Sequence, residues 1–154
     1  MPVVRPTIPE DVPSILALIN GVFAEYCCVL NVAEDTHLLA PGPFFRTGGG
    51  EFWVVADDGR VLATVAVLLH SDAAELKCLY VHPALRRQGW GRRLCELAMN
   101  HARQAGRTAM MLWTDTRFAG AQRLYEGLGF VRCGERELHD SNNTREFGYE
   151  RMLG

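Results

Sequence analysis

Two glycines one residue apart, Gly89 and Gly91, stand inside four arginines in LRRQGWGRRL, residues 85–94, and no acidic side chain follows until Glu96. A helix N-terminus presents backbone N–H groups that the helix cannot satisfy internally, together with the positive end of its dipole. If a helix begins near Gly89, those groups converge on one point with the guanidinium groups of Arg86, Arg87, Arg92 and Arg93. Glycine at 89 and 91 leaves the backbone open to close approach, so the chemistry that fits is binding of a phosphate or diphosphate. The same pattern has a plain structural reading, a glycine-rich strand-to-helix turn with solvated arginines. Two known nucleotide grips are disfavoured: no Gly-Lys-[Ser/Thr] follows as in a P-loop, and no third glycine completes the dinucleotide spacing.

The loop needs a strand before it and a helix after it, and the sequence supplies both. EFWVVAD, then Asp58-Gly59, then VLATVAVLL reads as a β-hairpin, and ELKCLYV follows as a third antiparallel strand that His82-Pro83 stops. After the loop, Leu94, Leu97, Ala98, His101, Ala102 and Ala105 mark one face of a helix that Gly106 closes. TAMMLWT is the next strand, so a right-handed crossover makes it parallel to the strand before the loop. A short helix over about 119–128 ends at Gly129, and FVRCGEREL and EFGYERML close the chain as a strand pair joined through DSNN.

Upstream, Thr7 and Glu10 have capping-box spacing, Pro9 fits a first helical turn, and Ile15, Leu18, Ile19 and Val22 carry a first helix to about Gly21. Residues 24–40 are expected to form a second, weaker helix, and PGPFFRTGGG a loop. With a short first strand, Val3 to Arg5, the predicted order is βααβββαβαββ. This is one mixed α/β domain over residues 1–154.

The 154 residues suffice for one core without staples, and a net charge of −2 with 22% charged residues gives no overall basic excess for nucleic acid. The five cysteines contain no C-x-x-C pair. Cys78, Cys95 and Cys133 fall in patterned elements and read as buried reduced thiols, which implies a reducing cytoplasm. The N-terminus lacks signal-peptide order. The longest apolar stretch, Val61 to Leu69, is too short to span a bilayer. His37, His82, His101 and His139 show no paired ligand spacing, and no metal is expected.

The segment ELKCLYVHPALRRQGWGRRL, residues 75–94, resembles the acetyl-CoA motif of the GNAT N-acetyltransferases, whose core is [RQ]-x-x-G-x-[GA] after a strand ending L-Y-V-x-P; Arg86, Gly89 and Gly91 fill it. AQRLYEGLGF, residues 121–130, resembles the second signature of that family, and REFGYERML its last strand. The resemblance implies a mostly antiparallel sheet flanked by helices, with one splayed parallel strand pair, and acetyl-CoA as co-substrate. It puts the diphosphate on the amides of Arg87, Gln88, Gly89, Trp90, Gly91 and Arg92. It puts the pantetheine arm on main-chain groups of Leu79, Tyr80 and Val81, where an N–H would also meet the thioester oxygen.

A lysine-like amine of pKa ~10.4 costs about 4.6 kcal/mol to deprotonate at pH 7, so a base or water chain is needed. By resemblance Glu75 is the first candidate base, with His70, Asp115 and Glu25 behind it, and Tyr125 is the acid for the departing thiolate. Solvated and packing roles stand against these two. Phe118 departs from the family pattern, which carries Asn there to contact the cofactor arm. The acceptor side is expected in the first two helices, residues 41–50 and the chain around 138–146, with Glu25, Tyr26, Glu34, Asp35 and Trp113 lining it. The expected activity is acetylation of a small-molecule or peptide amine, with a non-catalytic acyl-CoA-binding module as the competing reading and a nucleotide sensor as a third. A homodimer is possible by family analogy.

Overall fold

The computed structural model describes residues 1–154. Its elements are β1 (Val3–Pro6), α1 (Val12–Ala24), α2 (Pro41–Arg46), β2 (Glu51–Asp57), β3 (Arg60–Leu69), β4 (Ala74–Val81), α3 (Trp90–Gln104), β5 (Ala109–Asp115), α4 (Ala119–Gly127), β6 (Val131–Glu137) and β7 (Arg145–Met152). The strands form one sheet in the order β1-β2-β3-β4-β5-β7-β6. Every neighbouring pair is antiparallel except β4 and β5, which the α3 crossover makes parallel as the sequence predicts. The β2–β3 turn has left-handed φ values at both Asp58 (52°) and Gly59 (76°), the geometry whose twist matches a two-residue hairpin.

Burial on both faces fixes the sheet between two helical layers. Leu94, Cys95, Ala98, Met99 and Ala102 of α3 pack with Leu128 and Phe130 against Val65, Val67, Leu76, Met110 and Leu112. Ile15, Leu18, Ile19 and Val22 of α1 and Phe45 of α2 cover the other face through Phe52, Val54 and Ala66. No helix is long and apolar enough to cross a membrane.

The N-terminal third differs from the sequence-based expectation. Beyond the end of α1 at Ala24, residues 25–40 hold no α-helix; the chain turns at Cys27 (φ 58°) and next becomes helical only in a 3-10 turn, Thr36–Leu39. The expected loop is instead α2, with Pro41 in its first turn, where a missing N–H costs nothing. Arg46 at its end donates to the Thr7 carbonyl at 2.6 Å. Thr7 does not act as an N-cap. Asp11 takes over, its Oδ2 accepting from the Ile8 N–H at 2.9 Å and the Thr7 hydroxyl at 3.1 Å while Arg5 holds both carboxylate oxygens at 2.8 Å. Among the cysteines Cys95 is buried, but Cys133 is exposed because β6 is an edge strand.

One irregularity positions the site. The β3–β4 register shifts between Thr64 and Ala66, and Cys78 takes φ 57°. The buried Thr64 hydroxyl donates to the Cys78 carbonyl at 2.6 Å and pins this bulge. Beside it, β4 pairs with β5 only from Ala74 to Leu76, opposite Met110 to Leu112. Beyond that point the two strands separate, and β4 from Lys77 to Val81 presents main-chain groups to the gap.

Candidate active site

The gap opens on one side into a groove of about 500 Å³ running from Leu79, Tyr80 and Val81 to the start of α3. The backbone N–H groups of Arg87, Gln88, Gly89, Trp90, Gly91 and Arg92 find no acceptor in the protein; the first bond of α3 runs from Arg93 N to the Gly89 carbonyl at 3.1 Å. Gly89 has φ 82° and a Cβ there would meet nothing within 4 Å, so the turn requires glycine and faces open space. A run of free amides at the positive end of a 15-residue helix fits a diphosphate.

The remaining features of the loop have other causes. A Cβ at Gly91 would lie 2.9 Å from Leu124 Cδ2, so this glycine also lets α3 and α4 approach. Arg93 stacks its guanidinium 4.1 Å from the Trp90 ring centroid. Arg86 donates to both carboxylate oxygens of Glu25, at 2.6 and 2.8 Å, and to the Val81 carbonyl at 3.0 Å. Arg87 and Arg92 are the arginines left lining the groove without such a commitment, Arg92 lying 3.9 Å from the exposed Glu96.

On its other side the gap opens into a second cavity, of about 170 Å³. The two meet at Leu79, Tyr80, Phe118 and Ala121, which line both. Phe118 therefore sits at the throat, its ring 4.8 Å from that of Tyr26 and 6.4 Å from that of Phe23. Tyr125 is 5% exposed and lines the second cavity. No fully enclosed side-chain polar atom lacks a partner, so the Tyr125 hydroxyl, which bonds to no protein group, opens into that space. Burial, with Cys95 nearby, pushes its pKa well above that of an ordinary phenol and keeps the proton on it.

The structure sorts the other sequence-predicted residues. Trp113 lines the second cavity, and glycines accommodate it: a Cβ at Gly148 would come 3.0 Å from its ring, one at Gly134 3.5 Å. Glu34, Asp35 and Asp115 line it too, whereas Tyr26 lines the groove. Glu25 lines neither, being engaged by Arg86. Glu75 also lies outside the cavity lining, its carboxylate 2.9 Å from His70 Nε2 and 3.5 Å from Lys77 Nζ. Lys77, unlike Glu75, lines the cavity.

His37 and Cys78 also line the cavity, and the sequence did not mark them as site residues. His37 reaches the cavity from the irregular segment, with Nε2 4.0 Å from Cys78 Sγ. Burial, with Lys77 nearby, lowers its pKa and leaves a neutral imidazole at pH 7. Burial pushes the Cys78 thiol up to about 12. Nothing in the local sequence marks His37, because long-range contacts bring its segment over the sheet. No group of three His, Cys, Asp or Glu side chains is arranged to hold a metal ion.

Known proteins resemble this chain in sequence and fold. Residues 14–130 match the model of the acetyltransferase (GNAT) family. The uncharacterized N-acetyltransferase YjgM of Escherichia coli (strain K12) is 33% identical over 136 residues, covering 84% of this chain and 81% of that one. In fold, the chain superposes on an acetyltransferase of the GNAT family from Staphylococcus aureus Mu50 with TM-score 0.87, 18% identity and complete coverage of both. It also superposes on YncA, an acetyltransferase of Salmonella typhimurium solved with its cofactor acetyl-CoA, with TM-score 0.78, 20% identity and coverage of 100% and 95%. With the splayed parallel pair, the amide-lined helix start and the match over most of its length, the chain belongs to the GNAT acetyltransferase family, acyltransferases whose fold binds acetyl-CoA.

Proposed function

We propose that this protein acetylates a primary amine, with the acyl donor in the groove and the amine in the smaller cavity. The observation that carries this is the throat: donor groove and acceptor cavity meet where β4 leaves β5, so an amine can reach the acyl group without crossing solvent. Bound acetyl-CoA supplies an activated thioester. The amides of Arg87 to Arg92 hold its diphosphate, and the unpaired edge of β4 at Leu79, Tyr80 and Val81 holds its pantetheine arm. An N–H on that edge donates to the carbonyl oxygen as it gains charge.

Direct transfer is favoured over an acyl-enzyme. Burial pushes the thiol of Cys78, the β4 cysteine at the cavity, up to about 12, so it stays protonated and is a poor nucleophile at pH 7. The Tyr125 hydroxyl stays protonated and donates to the sulfur as negative charge develops there. Its raised pKa makes it a hydrogen-bond donor first and a proton source second.

For the base, the side chains that line the cavity come first. His37 presents a neutral imidazole there, and its Nε2 takes the ammonium proton directly or through one water. Glu75 stands second, since it reaches the cavity only through the Lys77 ammonium.

The test is release of CoA thiol from acetyl-CoA in the presence of a panel of amines, with mass spectrometry of the product. Amine-dependent release with an acetamide product is the expected result. Acetyl-CoA binding without turnover of any amine would assign the protein instead as a non-catalytic acyl-CoA-binding module.

A further inference from the structure

Five carboxylates line the smaller cavity, those of Glu34, Asp35, Asp115, Asp140 and Glu146, against one ammonium, that of Lys77. Four of the five are committed. Glu34 accepts from the Ser141 hydroxyl at 2.6 Å, Asp115 from the Arg117 N–H at 2.9 Å, Asp140 from the Thr144 hydroxyl at 2.7 Å, and Glu146 from Arg136 Nε at 2.8 Å. The carboxylate of Asp35, a half-buried residue, accepts no hydrogen bond from the protein. Counting the ion-pair partners Arg117, Arg136 and Glu75, which lie outside the lining, the cavity and its surround still carry three uncompensated negative charges.

Excess charge of one sign in a partly desolvated space is costly unless a ligand neutralises it. Burial, then Glu34 and Asp140, raise the pKa of Asp35, so its carboxylate is the one with most to gain from a cation. A second, uncharged group points to a ligand in the same place: the Tyr125 hydroxyl, nine-tenths buried, faces the cavity with no protein partner.

We infer that the acceptor is a small amine bearing a second group that is positively charged at neutral pH, which Asp35 and its neighbouring carboxylates hold while the other nitrogen reacts. The inference rests on the acetyl-transfer reading above and names its substrate class. The need for two charges follows from the chemistry. The attacking nitrogen must pass its proton to the base to become a nucleophile, so it cannot itself remain the ammonium that pairs with Asp35. A separate cationic group on the substrate can. By the same sign, an amine with a carboxylate at its far end is rejected.

An isosteric series decides this: 1,6-diaminohexane, 6-amino-1-hexanol and 6-aminohexanoate present a positive, neutral or negative far end on one chain. The expected order of kcat/KM is diamine over amino alcohol by about tenfold or more, with the amino acid last. Asp35→Asn should remove about tenfold from the diamine and leave the amino alcohol nearly unchanged. Calorimetric binding of the three to the protein with CoA present gives a readout independent of turnover, and should show the same order and the same selective loss. Equal treatment of diamine and amino alcohol in binding, or an equal effect of Asp35→Asn on both, overturns the inference. If no amine at all releases CoA, the acetyl-transfer reading fails by itself, and the binding series still decides the charge preference.

Discussion

Arg86 grips both carboxylate oxygens of Glu25 across 61 residues of sequence, joining the end of α1 to the loop that opens α3. Side chains with different expected roles, one for cofactor and one for substrate, thus form a single brace. The guanidinium holds the Glu25 carboxyl below its ordinary range. It also ties the loop to the Val81 carbonyl. Both partners are about a third exposed, so the pair contributes about 1 kcal/mol or less to stability. Glu25→Gln should therefore leave thermal unfolding nearly unchanged and raise KM for acetyl-CoA several-fold. Steady-state kinetics with acetyl-CoA varied checks both halves.

The two motif glycines should fail differently. Gly89→Ala places a side chain at φ 82° and into the groove; it should cost about 1 kcal/mol and weaken acetyl-CoA binding by about tenfold. Gly91→Ala pushes against Leu124, so its cost of about 1 kcal/mol should be relieved when Leu124 is also cut to Ala. A double-mutant cycle on unfolding free energy with no coupling between 91 and 124 would contradict the packing explanation.

Tyr125→Phe removes a hydroxyl that bonds to nothing in the protein. Stability should stay within about 0.5 kcal/mol, while kcat falls on the order of a hundredfold with little change in KM. A normal kcat would dismiss Tyr125 as the group that meets the sulfur.

The acid limb of kcat/KM, measured with an amine that stays an ammonium throughout the pH range, should report His37. Its folded-state pKa is depressed, so it remains a base at neutral pH. Activity should persist down to about pH 6.5, the ordinary histidine value, and fall only below it. His37→Asn should remove that limb along with most of the rate, and Glu75→Gln should preserve it. The reverse pattern would hand the base role to Glu75.

The sheet was legible because its central strands are short apolar runs bounded by clear turns, with alternating burial in β5, and the β4–β5 direction follows from a helix between them. A bulge in β4 followed from the family resemblance, but its position at Cys78 was not legible, since it depends on the Thr64 hydroxyl one strand away. Nor was the path of residues 24–40. Asn142 bonds both the N–H and carbonyl of Val29, at 3.2 and 2.8 Å, and Ser141 bonds Glu34. Those contacts span more than a hundred residues and override the local helical pattern. The glycine and arginine loop was readable from a contiguous motif, whereas the smaller cavity is assembled from segments far apart in the sequence. Trp113 and Asp35 line that cavity, whereas Glu25, grouped with them in expectation, belongs to the loop brace.

Thermal unfolding with acetyl-CoA, free CoA and ADP tests the central claim most directly. At about a hundred times Kd, binding adds ~2.7 kcal/mol, roughly 5–10 °C for a domain of this size. The account predicts such a shift with acetyl-CoA and with CoA, a smaller one with ADP, and its loss in Gly89→Ala. An unmoved transition with acetyl-CoA, or an equal shift with ADP, would contradict the assignment of the groove to the acyl donor.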